Sequence, residues 1–269
     1  MSRSAEVSRA IVARLGLREN HQRYRRAVSF IGDSMSPVLE VGPASRGIAP
    51  LLKKARPVVY VDVLEKFGEG EGTSAVRGSA DRLPFGSRTF FHVVCLDVME
   101  HLPPDIRKAA VSELYRVTAP GGTLLISSPV GEAATKADEW LSNRLSSRGL
   151  NPHRWVSEHQ QYGVPSIEDY DEWFSQFDSS TSVTVEPDLT VEAWKRALEV
   201  SAIPSSMASR TWSMLRFAVH QIVPPGDQDI YRQFFVIEKG FSDTTNASFV
   251  PAPPISDHIP EAPPFNITN

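Results

Sequence analysis

The sequence predicts a doubly wound α/β fold, and three observations carry that prediction. Short, continuously apolar runs recur along the first half of the chain. Polar, helix-capable segments separate them. A glycine turn follows the first run, and a second run ends in an acid. Apolar runs of this length suit strands buried on both faces of a parallel sheet, and strands alternating with helices place those helices over both faces.

The runs are Val38-Leu39-Glu40-Val41, Val58-Val59-Tyr60-Val61-Asp62, Phe91-His92-Val93-Val94-Cys95-Leu96 and Thr123-Leu124-Leu125-Ile126. Helices are expected at about 46–54 and 105–118, the second stopped by Ala119-Pro120-Gly121-Gly122. A short third strand is expected ahead of Ala80. Residues 1–36 read as an arginine-rich helical arm in which Val7, Ile11, Leu15 and Leu17 recur at roughly helical spacing. The domain proper is expected over 37–240. Within it, the alternation breaks down into an insert at about 131–181, rich in Trp, His, Tyr and acids. Two late strand candidates, Ser182–Glu186 and Tyr231–Glu238, enclose a helical insert at about 190–225 in which Trp212, Leu215, Val219 and Ile222 share a face. Residues 241–269 carry six prolines among Ser, Thr and Asn and read as a disordered tail.

Composition narrows the function. The chain of 269 residues has 28 Lys and Arg against 32 Asp and Glu, a net charge of −4, so no basic surplus pulls it toward nucleic acid. No apolar run approaches the roughly 18 residues of a membrane span. The single cysteine, Cys95, lies inside an apolar run and reads as a buried small hydrophobe. A cytoplasmic protein is the expectation. Oligomeric state leaves no signal.

The acids at the ends of the runs carry the chemistry. Glu40 closes the first run ahead of a Gly42-Pro43-Ala44-Ser45-Arg46-Gly47 turn, and Asp62 ends the second. A glycine turn after a first buried strand marks the crevice where α/β proteins hold nucleosides, and an acid ending the second strand is placed to accept from both ribose hydroxyls. A dinucleotide needs open backbone N–H groups for its pyrophosphate. Pro43 has none, and Ala44, Ser45 and Arg46 stand where glycines are wanted, which disfavours a nicotinamide-dependent reductase. S-adenosylmethionine carries no phosphate, and Glu40 could face its ammonium end while Asp62 takes the ribose. Asp81, in Ala80-Asp81-Arg82-Leu83-Pro84-Phe85, is placed to accept from an adenine amino group between the apolar walls of Leu83 and Phe85. The run Val94–Pro103 reads as a fourth strand running into a polar, helix-initiating end, where such a crevice opens.

With these motifs in this order, the sequence resembles the class I S-adenosylmethionine-dependent methyltransferases of the type 11, small-molecule group. The matching stretches are Val38–Gly42, Val61-Asp62, Ala80–Phe85, Leu96–Leu102, Glu113–Val117 and Pro120–Gly122, within about residues 37–130. The resemblance implies a mostly parallel, seven-stranded Rossmann-like sheet whose last strand is antiparallel, S-adenosylmethionine as cofactor, and Glu40, Gly42, Asp62, Asp81 and Asp97 around it. Ala44 replaces the second glycine usual in the first motif, where its methyl faces the methionine moiety. His92 replaces an aspartate common after the paired aromatics, at the far start of its strand.

The expected activity is methyl transfer to a small-molecule or biosynthetic-intermediate acceptor, with oxygen preferred over nitrogen or carbon. The alternative is a methyltransferase-like protein that binds the cofactor or a partner without turnover. A hydroxyl acceptor needs a base, and His159, then His153, in the His153-x4-Glu158-His159 run followed by Tyr162-Gly163-Val164-Pro165, are the candidates. No metal site is expected from His153, Glu158 and His159, because neighbouring side chains diverge and no H-E-x-x-H spacing exists.

Overall fold

The computed structural model describes residues 19–43, 47–53, 56–64, 73–201 and 229–241. Their strands are β1 (Val38–Val41), β2 (Val58–Asp62), β3 (Thr73–Arg77), β4 (Phe90–Leu96), β5 (Thr118–Pro129), β6 (Ser182–Thr190) and β7 (Ile230–Glu238). They form one seven-stranded sheet in the order β3-β2-β1-β4-β5-β7-β6. β1 to β5 pair in parallel, and β7 runs antiparallel to both β5 and β6. The doubly wound sheet and the antiparallel final strand are therefore as expected.

Burial on both sides explains why the runs are continuously apolar. Leu39 and Val41, Val93 and Cys95, Leu124 and Ile126, and Phe235 and Ile237 pack into one core. Their alternating neighbours Val38, Val94, Leu96, Leu125, Phe234 and Val236 pack into another on the opposite face. Successive strand residues point to opposite faces, so each strand feeds both layers and stays apolar except where a buried polar group is held for another purpose, as at Glu40.

Helices cover each layer. α1 (Glu19–Ile31) lays Ala27, Val28 and Ile31 on the second core. α2 (Pro104–Val117) begins with Pro104, whose missing N–H costs nothing in a first turn, and presses Ala110, Val111, Leu114 and Val117 onto the first core. The insert after β5 folds as α3 (Gly131–Ser146), α4 (Arg154–Tyr162) and α5 (Ile167–Phe174). A reciprocal cap opens α5, with the Asp169 amide donating to Ser166 Oγ (3.1 Å) and the Ser166 amide to Asp169 Oδ2 (2.8 Å). α6 (Val191–Ser201) joins α3 and α4 in a third core built on Leu141, Leu145, Val156, Trp194 and Tyr231.

One element differs from expectation. The helix expected at about 46–54 is, among the described residues, a short 3-10 turn at Ala49–Leu51. Pro50 sits inside it, and the Leu52 N–H returns to Ala49 O (3.2 Å) while the chain passes into extended backbone. The arm before residue 19, Ala44, the helical pattern over 202–225 and the Pro-rich tail from 242 lie outside the described residues. Among those described, no helix is long and apolar enough to cross a membrane. Cys95 is buried and its thiol is pushed well up by burial, as an inert core residue requires.

Candidate functional site

Strand order reverses between β1 and β4, whose carboxyl ends leave a gap because their connections depart to opposite sides. Gly42 follows β1 at φ +72°, a conformation that side chains rarely adopt. A Cβ there would meet Val98 Cγ2 at 2.4 Å, so the close approach of the β1 and β4 loops requires glycine.

Glu40 is fully buried, paired in register with Tyr60 on one side and Val94 on the other. Its Oε2 accepts the Ile48 amide at 2.6 Å, while Oε1 has no aligned hydrogen-bond partner. Burial pushes its carboxyl up to about 7, against the opposing pull of the Ile48 amide, the Tyr24 hydroxyl and Arg23. A buried carboxylate with one oxygen unsatisfied is a standing cost that a cationic ligand group would relieve.

Asp62 ends β2 half-buried. Its Oδ1 accepts the Leu64 amide (3.1 Å), fixing the turn out of the strand, and no other side-chain bond is described for it. Asp81, also half-buried, accepts from Ser79 Oγ. Leu83 is buried, held by its amide to Glu113 Oε2 (2.8 Å), and Arg116 in turn binds Glu113. That network explains the Glu113–Val117 motif: it clamps the Asp81–Phe85 loop onto α2.

Asp97 stands just past β4 at φ +53°. Its Oδ2 receives Arg23 and Arg232 Nη1 (2.9 Å), and its Oδ1 receives Ser127 Oγ (2.8 Å). Burial alone would raise this carboxyl, but the two guanidinium groups hold it well below the usual carboxylate range. Asp97 is thus saturated by protein donors, and it anchors α1 and β7 to the strand ends.

Beyond Asp97 the 3-10 turn Met99–His101 turns Glu100 into the interior, where it is 1% exposed. The one side-chain hydrogen bond described for its carboxylate is a long one from Ser128 Oγ (3.3 Å). Burial, then the charge of Asp97, pushes Glu100 up. His101 and His159 face each other with ring centroids 4.8 Å apart. His159 is buried, its Nδ1 2.7 Å from Asp138 Oδ2, and Asp138 Oδ1 also receives the Tyr231 hydroxyl (3.0 Å). With Nδ1 donating to Asp138, the lone pair falls on Nε2, which is buried without a partner. Burial opposes a charge on His159, but the Asp138 bond and the nearby Glu100 outweigh it and raise the imidazole. His101 Nδ1 lies 2.9 Å from Glu158 Oε2 without hydrogen-bond alignment, and burial and the neighbouring His159 push it down.

His159 therefore joins Glu100 and His101, whereas His153 does not. His153 precedes α4, stacks on Trp155 at 6.1 Å, and gives its carbonyl to the Ser157 amide (3.2 Å). Sequence reasoning missed Glu100 and Asp138. Glu100 sat in a quoted motif but had no assigned partner; Asp138 lies 21 residues before His159 on another helix, where no local spacing could reveal it.

Residues 39–126 match a family model described as a methyltransferase domain, of type 11. No curated protein matches in sequence. Among solved structures, a methyltransferase in complex with the Haloferax volcanii Trm112 methyltransferase activator is similar at 14% identity and TM-score 0.52, over 88% of this chain and 95% of that one. A S-adenosylmethionine-dependent methyltransferase from Archaeoglobus fulgidus matches at 17% identity and TM-score 0.51, over 81% and 91%. One from Thermotoga maritima, for which histamine N-methylation has been suggested, matches at 18% identity and TM-score 0.51, over 80% and 87%. With the sheet order and the matched segment together, residues 39–126 match a methyltransferase domain, and the chain has the fold of S-adenosylmethionine-dependent methyltransferases of known structure.

Proposed function

We propose that the protein transfers the methyl group of S-adenosylmethionine to a small-molecule acceptor, preferentially at a hydroxyl. Two observations support this reading: among the buried side-chain atoms, Glu40 Oε1 and His159 Nε2 each lack an aligned hydrogen-bond partner. One suits a cationic ammonium group; the other suits the proton of an acceptor.

When bound, the cofactor supplies an activated methyl on a sulfonium whose bonding pair returns to sulfur on transfer. Glu40 holds the ammonium end, Asp62 takes the ribose hydroxyls, and Asp81 with Leu83 borders the adenine. Gly42 lets the turn after β1 come close. The acceptor would sit against Glu100, His101 and His159, where the His159 lone pair would take its hydroxyl proton and Asp138 would steady the resulting imidazolium. The helices of the insert keep water from this proton transfer.

Turnover with matched acceptors tests the reading. Incubation with S-adenosylmethionine and a panel of hydroxyl, amine and carbon acceptors of similar size should release S-adenosylhomocysteine chiefly with hydroxyls. His159→Ala should retain cofactor binding but slow that release by roughly 100-fold or more, the usual scale of a positioned base. Equal turnover in the variant, or release confined to amines, would remove the proposed preference.

A further inference from the structure

Glu100, His101 and His159 each offer one ligand atom, and those atoms lie within 4.8 Å of one another. Despite this proximity, no hydrogen bond joins Glu100 to either imidazole among the described residues, so the three groups do not satisfy one another. Glu100 is buried, its one side-chain partner Ser128 Oγ at 3.3 Å, and the His159 side chain is 4% exposed with Nε2 unpartnered. A buried imidazole lone pair beside a buried carboxyl, with no bond between them, leaves a place for a third species.

We propose that Glu100, His101 and His159 bind one divalent transition-metal ion of the zinc or manganese class. Two imidazoles and one carboxylate are the donors such ions prefer, whereas magnesium and calcium favour oxygen. Three protein ligands leave coordination positions open to an incoming group. The outer contacts fit as well. Asp138 binds His159 Nδ1 at 2.7 Å and thereby aims Nε2, Tyr231 fixes Asp138 in turn, and Glu158 stands 2.9 Å from His101. Carboxylates behind ligating histidines set the tautomer and raise ligand basicity. Ligands around a cation with bonds near 2.1 Å sit roughly 3–4 Å apart, so the cluster closes by about 1–2 Å, the part-exposed His101 being the freest to move.

The inference concerns the acceptor side of the proposed function and is tested apart from it. An ion bound there would take the His159 lone pair, so the proposed general-base role belongs to the ion-free chain. This ion site replaces the expectation of no metal with a different ligand set, in which Glu100 and His101 take the place of His153 and Glu158.

The test uses the full chain stripped with a chelator and titrated calorimetrically with Zn2+ and, separately, Mn2+, with S-adenosylhomocysteine titrated into the same samples. One ion per chain is expected, with binding lost in His159→Ala and in His101→Ala and weakened 10–100-fold in Asp138→Asn. Should His159→Ala fail to fold, His101→Ala decides alone, since that ring is part-exposed. Folded wild type that takes up neither ion, or a folded His101→Ala protein that binds as tightly as wild type, overturns the site. Binding of S-adenosylhomocysteine without uptake of either ion sinks the metal site alone. Absence of S-adenosylhomocysteine binding sinks the methyltransferase reading, and the ion titration still judges the cluster.

Discussion

Glu40 shows most clearly how one residue couples fold to chemistry. Its carboxyl, at about 7 in the folded chain against an ordinary 4.5, binds a proton more tightly folded than unfolded. Stability therefore falls as pH rises from about 4.5 to 7, and the cost is fully present above that window. Glu40→Gln removes it while keeping an acceptor for the Ile48 amide. Denaturant titrations should show the variant gaining up to roughly 3 kcal/mol on wild type between pH 4.5 and 8; parallel curves would contradict the burial argument. Asp62 belongs to the same scale. Asp62→Ala should weaken S-adenosylhomocysteine binding by about 1–3 kcal/mol in calorimetry, the range for unpairing hydrogen bonds to a charged group, and unchanged affinity would take the ribose role away. The acids at the strand ends were legible from sequence because an acid closing an apolar strand has no cheap burial. Which of them is free was not legible. Asp97 looks the same as Glu40 in sequence, yet Arg23 and Arg232, from α1 and β7, saturate it, and nothing near Asp97 in the chain announces either partner.

Among the elements, α4 does the positioning, and a single buried arginine fixes it. Arg107 of α2 donates through Nε to Leu102 O (3.0 Å) and through Nη2 to Tyr162 O (3.1 Å) and Gly163 O (2.6 Å). It thus ties the end of α4, which carries His159, to the turn that carries Glu100 and His101. Arg107→Ala leaves three carbonyls without this donor and should cost about 1–3 kcal/mol in chemical denaturation, with loss of turnover exceeding loss of cofactor affinity. A variant as stable and active as wild type would show that α4 needs no such clamp. The strands and α2 were readable in advance because their periodicity reflects which faces they bury. The turn at Ala49–Leu51 was not, because Pro50 and the demand of Glu40 for the Ile48 amide outweigh helical pattern there. The insert's helices were equally opaque. In α3 and α4 the apolar residues pack on one another and on Tyr231, and in α5 they pack on the core beneath the sheet, so no single segment displays the pattern of the whole.

At the scale of the molecule, the sheet order brings residues from both halves of the chain to one edge. Glu40 and Asp62 come from the first two strands, Glu100 from the loop after β4, His159 from the insert and Tyr231 from the last strand. The fold class followed from the first half, where strands and helices alternate. The proposed acceptor side draws on both halves, with Glu100 and His101 from the turn after β4 and His159 from the insert, where the chain departs from that alternation. Binding of S-adenosylhomocysteine to the full chain, read by calorimetry, tests the central claim most directly. One molecule per chain should bind, and more weakly to Asp62→Ala. Folded protein that gives no binding would contradict the account.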